Sequence, residues 1–213
     1  SRGIRLGLEN TYKLMEYLGN PHEKIKAIHI AGTNGKGSTA SMIAKILEGT
    51  GRKVGLYTSP HLISFNERIR INGKAIGDEE IQKYIQQNKK HFINNQVTFF
   101  EATTGMAFDY FLKQRVDIAV VETGLGGRLD STNVLNPTLS IITEISYDHM
   151  HILGNTIEKI AMEKAGIIKE KTPILVADQG AAQLKAVKSV AKKMHAPIYF
   201  TNNNNLTIKE LSK

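Results

Sequence analysis

Cysteine is absent from this chain of 213 residues, so disulfides and thiolate metal sites are excluded. No apolar run approaches the ~20 residues that a membrane-spanning helix needs, and no signal-peptide pattern stands at the start. The expectations are no membrane partner and a cytoplasmic location. Acidic residues are the minority charge: 20 against 28 Lys and Arg, a net +8. That surplus suits anionic ligands. Lys/Arg-rich blocks with interleaved aromatics are missing, which argues against a nucleic-acid partner. No internal repeat is visible. What remains, 41% hydrophobic and 23% charged residues, is ordinary for a globular protein with room for one large domain or two small ones.

The most informative stretch is Ile28-His-Ile-Ala-Gly-Thr-Asn-Gly-Lys-Gly-Ser-Thr39. A short apolar run leads into a glycine turn carrying Lys36, and a helical segment, Thr39 to Gly49, follows. Strand, glycine loop and helix start build a phosphate cradle. Backbone N–H groups of Gly32, Thr33, Asn34, Gly35, Lys36, Gly37, Ser38 and Thr39 can turn toward an anion. The helix N-terminus adds partial positive charge, and Lys36 can reach the β- and γ-phosphates. A nucleoside triphosphate is the expected ligand. The usual pattern places Ser or Thr directly after the Lys to hold Mg²⁺. Gly37 stands there instead, so a metal–ATP site needs an oxygen ligand from elsewhere. An ordinary glycine turn before a helix is the bland alternative.

The remaining pattern is α/β. Helices are expected at Leu6–Leu18, at Asp78–Phe92 with Asp78 as N-cap, and at Phe100–Gln114, Thr156–Lys169 and Ala181–Met194. Strands are expected at Lys53–Tyr57, Asp117–Val121, Leu139–Ile145, Pro173–Ala177 and Pro197–Phe200, with a loop or hairpin over 61–77. The tail with Asn202–Asn205 reads as loop. Alternating strands and helices predict a P-loop-containing, mostly parallel sheet flanked by helices.

Ligands in such sheets bind beyond the C-terminal ends of the strands. Ser59 ends one strand and can supply the hydroxyl that Gly37 lacks; a Ser-Pro turn explains it equally. Glu122 ends another and is placed to hold Mg²⁺ or its waters, or it is a solvated acid before a turn. Arg128 and Asp130 in the following glycine loop can orient a substrate or form a surface salt bridge. His149 and His151 follow a third strand. Histidine is an unusual Mg²⁺ ligand, and structural or solvated roles explain both. Lys164 shares an apolar helical stripe with Ile157, Ile160, Ala161 and Ile168. It either snorkels to solvent or turns inward and needs a partner. A neutral amine there can also take up CO₂ as a carbamate.

Ile30-Ala-Gly-Thr-Asn-Gly-Lys-Gly-Ser38, Thr58-Ser-Pro-His-Leu62 with Phe65-Asn-Glu-Arg68, Glu122-Thr-Gly-Leu-Gly-Gly-Arg-Leu-Asp130, and Asp148-His149 with Glu163-Lys-Ala-Gly-Ile-Ile-Lys169 together resemble the bacterial folylpolyglutamate synthase/dihydrofolate synthase family of Mur-ligase-like amide ligases. The resemblance covers about Gly3 to Phe200. It implies a Mur-ligase central-domain fold. It also implies ATP-dependent addition of glutamate to folate or dihydropteroate through an acyl phosphate. It makes Lys36, Glu122, His149 and Lys164 catalytic and gives the ATP phosphates to Gly32–Thr39. Ser59 and Glu122 would hold one Mg²⁺; Glu122, His149 and a carbamylated Lys164 would hold a second. Thr98, Phe99, Phe100, Glu101, Leu129, Asp130 and Ser131 would receive the pterin-bearing substrate, although Phe99 and Phe100 read equally as core. Asn66 to Arg68 would belong to a mobile loop near the folate.

Thr123 departs from the family pattern, where an apolar residue is expected. A short helix before Gly3, a His-Gln-containing helix and a second α/β domain are also expected of the family. Residues 1–213 thus read as the P-loop ATPase domain, incomplete at both ends, with the C-terminal ligase domain absent. Such a piece is expected to fold, to bind Mg²⁺–ATP weakly if at all, to make no γ-glutamyl product and to expose an apolar face. A full-length monomer is expected. The alternatives are another Mur-type ligase acting on a cell-wall precursor, or a nucleotide-binding module without catalysis.

Overall fold

Strands buried on both faces need apolar side chains in both directions, and the central strands here supply them. A computed structural model describes residues 7–201. Its strands are β1 (Ala27–Ala31), β2 (Val54–Tyr57), β3 (Ile69–Ile71), β4 (Lys74–Ala75), β5 (Ile118–Glu122), β6 (Leu139–Ile142), β7 (Ile174–Val176) and β8 (Ile198–Phe200). They form one sheet in the order β4-β3-β2-β5-β1-β6-β7-β8. Along that order the pairings from β2 through β8 are parallel, while β2–β3 and β3–β4 are antiparallel.

The helices are α1 (Glu9–Tyr17), α2 (Pro21–Lys24), α3 (Lys36–Glu48), α4 (Asp78–Asn94), α5 (Phe99–Lys113), α6 (Met150–Leu153), α7 (Ile157–Ala165) and α8 (Ala181–Lys193). Two 3₁₀ turns, Phe65–Arg68 and Ser131–Val134, complete the elements. Alternate strand residues face opposite layers. Ile28, Ile30, Val54, Leu56, Val120 and Ile141 pack with Ala40 and Ala44 of α3. Ala27, Tyr57, Ala119 and Val121 point the other way, onto Phe108 and Phe111 of α5. Ala31, Ile142, Ile174 and Val176 meet α7 and α8 on that same side. Gly55 is required by this packing, because a Cβ there would sit 2.9 Å from the Phe111 ring.

The element boundaries differ from the sequence reading in ways with physical causes. Helix α3 starts at Lys36 rather than Thr39, because Gly35 takes the left-handed conformation (φ 80°) and caps it. Strand β6 stops at Ile142 rather than Ile145, since the next residues bond to the phosphate loop instead. Helix α7 stops at Ala165, where Gly166 packs on the Arg128 backbone. Asp78 is the first residue of α4; Gly77 holds the cap position. The short helices α2 and α6 were not expected from sequence. Leu6 and Asn202–Asn205 lie outside the described residues.

Candidate active site

The C-terminal ends of β1, β5, β6 and β2 bring the chemistry together. After β1 the loop is held from one side by the segment following β6. Thr33 N–H donates to the Glu144 carbonyl at 2.7 Å, and the Thr33 hydroxyl donates to the Ser146 carbonyl at 3.1 Å while accepting from the Ser146 N–H. Asn34 reaches the Glu144 carboxylate and the Ser146 hydroxyl, each at 3.3 Å. Gly32 is buried against the Thr143 side chain, where a Cβ has no room. The loop is thereby shaped before the first turn of α3, whose N–H groups point outward at an anion-binding position. Lys36 folds back and donates to the Thr33 carbonyl at 3.1 Å.

Glu122, the last residue of β5, is buried beside this turn. Its Oε2 accepts the Ser59 N–H at 3.1 Å. The same oxygen would lie 3.3 Å from a Cβ on residue 37. Gly37 is therefore the residue that lets a carboxylate press against the helix start, in the space where the usual hydroxyl would stand. Burial raises the Glu122 pKa, with the Ser59 N–H and Lys36 acting against it.

Lys164 is 3% exposed and donates to the Gly32 carbonyl at 2.7 Å, so it does not snorkel. Burial pulls its ammonium down to about 8; the charge of Lys36 adds to the effect, and Asp148 and Asp130 oppose it. Two lysines thus converge on adjacent carbonyls of one loop, an arrangement that an anion would relieve.

A family model described as the Mur ligase middle domain matches residues 30–212. The chain belongs to the Mur ligase middle domain family. Dihydrofolate synthase/folylpolyglutamate synthase of Bacillus subtilis is 49% identical over 202 residues, covering 92% of this chain and 47% of that protein. Dihydrofolate synthetase of Saccharomyces cerevisiae is 41% identical over 209 residues, 94% of this chain and 48% of that one. Folylpolyglutamate synthase from Thermotoga maritima superposes with a TM-score of 0.86 at 43% identity, covering 92% of this chain and 47% of that one. A solved FPGS–AMPPCP–folate complex gives 0.86 at 38% identity, with 92% and 51% covered. The chain spans about half the length of the curated relatives it matches.

Within this Mur ligase middle domain the other sequence-derived residues take distinct places. The Ser59–Pro60 peptide is cis. His149 adopts a left-handed conformation at the start of α6, 3.5 Å from the Asp148 carboxylate and against the His151 ring; it has no hydrogen bond or ion pair with Glu122 or Lys164 among the described residues. No group of three or more His, Cys, Asp or Glu side chains converges as a metal site among the described residues. Thr98 and Glu101 form a capping box at the start of α5, Glu101 accepting the Thr98 N–H at 2.7 Å. Phe99 is mostly exposed and Phe100 packs on the core. The Arg68 guanidinium sits over the Phe99 ring, 5.5 Å from its centroid.

Asp130 is buried and fully engaged. It accepts from Leu125 N–H (2.8 Å), Thr132 N–H (3.0 Å) and the Thr132 hydroxyl (2.5 Å). Leu129 is half-buried and Ser131 buried in the turn that follows. Arg128 pairs with Glu163 at 2.8 Å. Thr123, the departure noted in the sequence, is buried with its hydroxyl unpartnered. Sequence reasoning missed His29, whose Nε2 lies 2.8 Å from the Thr132 hydroxyl. It also missed Glu144 and Ser146 as supports of the loop. These residues act through contacts 103 to 113 positions away, which no local spacing reveals.

Proposed function

We propose that this domain supplies the ATP site and the phosphoryl-transfer chemistry of a ligase that joins glutamate to dihydropteroate or folate. The carrying observation is the contact between Glu122, Gly37 and Ser59 beside two converging lysines. Lys36 and the first turn of α3 would bind the triphosphate, and Lys36 would stabilise charge on the γ-phosphoryl group as it moves. A substrate carboxylate oxygen attacks γ-phosphorus and ADP leaves. The glutamate amine then attacks the acyl carbon and phosphate leaves.

The donor set fits Mg²⁺, which takes one or two carboxylates together with substrate phosphates. Glu122 and the Ser59 hydroxyl would hold it; when bound, the ion neutralises phosphate charge. Glu122, His149 and Lys164 would hold a second ion after movement of His149. Burial leaves a neutral fraction of the Lys164 amine, which CO₂ converts to a carbamate with loss of one proton. The FPGS complex with AMPPCP and folate supports ATP and folate as ligand classes.

The test is product analysis with ATP, Mg²⁺, glutamate and either dihydropteroate or a reduced folate, using this domain within a chain of the relatives' length. A γ-glutamyl product is expected, with loss of turnover in Lys36→Ala. Turnover with a cell-wall peptide precursor only would favour another Mur-type ligase. ATP-analogue binding without any turnover would leave a nucleotide-binding module.

A further inference from the structure

We propose that Asn133 is a positioning residue: it donates both side-chain amide hydrogens across two elements, and so holds Lys164 against the phosphate loop. The role rests on the phosphoryl-transfer reading given above. Asn133 is 4% exposed. Its Nδ2 donates to the Arg128 carbonyl and to the Gly166 carbonyl, each at 3.0 Å. Its Oδ1 is buried without a partner. The donor end is therefore what the site uses, and the opposite orientation would face oxygen with two oxygens.

The two carbonyls belong to the parts that matter. Arg128 lies in the loop that leaves Glu122, and Gly166 caps α7 two residues after Lys164. Other contacts converge on the same seam. Arg128 N–H donates to the Glu163 carbonyl at 2.7 Å. A Cβ on Gly127 would sit 2.8 Å from that carbonyl and 2.9 Å from the Lys164 carbonyl. The far side of Asn133 is fixed as well. Its N–H donates to the Asp130 carbonyl at 2.8 Å, and its carbonyl accepts Lys169 Nζ at 2.7 Å. Neighbouring Thr132 is tied to Asp130 and His29. Asn133 thus couples a turn tied by several hydrogen bonds to the helix end that carries Lys164.

Asn133→Leu would leave two buried carbonyls unpaired, and Asn133→Asp would set acceptors against them. Pulse labelling of amines with acetic anhydride, read by mass spectrometry, reports Lys164 without requiring turnover. Both variants are expected to label Lys164 several-fold faster than wild type. Lys53, whose ammonium bonds the Gln114 carbonyl at the other end of the sheet, should label at an unchanged rate. The kcat should fall ~10²-fold, the scale of a misplaced group, with KM for ATP nearly constant. Should Asn133→Leu fail to melt cooperatively, the smaller Asn133→Ser replaces it in the same measurement. A wild-type labelling rate at Lys164 in a folded variant overturns the role. Absence of γ-glutamyl product from wild type overturns the functional reading instead, and the labelling still decides the role of Asn133.

Discussion

Folding raises the Glu122 pKa, because burial outweighs the Ser59 N–H and Lys36. A carboxylate whose folded pKa is raised adds stability below its ordinary range, and that stability is lost as pH rises through the folded value. Glu122→Gln is therefore expected to melt higher than wild type at neutral pH. The gap should close as pH falls from the raised folded value to the ordinary carboxylate value of 4.5. The same variant should lose at least ~10²-fold in turnover, the scale for one electrostatic stabiliser. A lower melting temperature at neutral pH would contradict the first expectation, and near-normal turnover the second. Lys164 gives the opposite slope. Its folded value is about 8 against 10.5 for a free lysine, so the unfolded chain binds the extra proton between them. Wild type should gain stability relative to Lys164→Met as pH rises from about 8 toward 10.5. Denaturant titrations across that window measure it, and a flat difference would show that Lys164 is solvated.

At the scale of elements, the start of α5 carries a capping box at residues that the sequence reading gave to the substrate. The Thr98 hydroxyl accepts the Glu101 N–H at 3.2 Å while Glu101 returns the bond. Thr98→Ala should cost ~1 kcal/mol of stability, as lost caps do. Thermal melts check this, and an unchanged melt with raised KM for the pterin substrate would assign Thr98 to binding instead. The β1–loop–α3 unit was legible in the sequence because its motif lies within twelve consecutive residues, although the supports that shape the loop do not. The strand and helix order was legible for the same reason, since apolar runs and periodicity are local. Where elements ended was less legible. Strand β6 yields to Thr33 and Asn34, more than 100 positions earlier in the chain, and α7 yields to Arg128, 35 positions earlier. Glu122 and Lys164 could be singled out as anomalies of an apolar strand and stripe. Asn133 carried no such anomaly, because its meaning lies wholly in two carbonyls from elsewhere.

At the scale of the whole molecule, the net charge of +8 acts on any anionic ligand over a Debye length. Binding of an ATP analogue, followed by fluorescence, should weaken steadily as NaCl is raised. Salt-independent binding would place the affinity in short-range contacts alone. The order of the sheet carries a consequence for biosynthesis. Strand β1 lies between β5 and β6, and its register with β6 pairs Ile28 with Leu139. As the chain leaves the ribosome at ~5–20 residues per second, the phosphate loop is made before β5 and β6. It nonetheless waits for both flanking strands to be translated. Nucleotide cannot act as a template for the nascent chain, and a ribosome stalled before β6 would carry the whole loop sequence with no cradle to bind ATP.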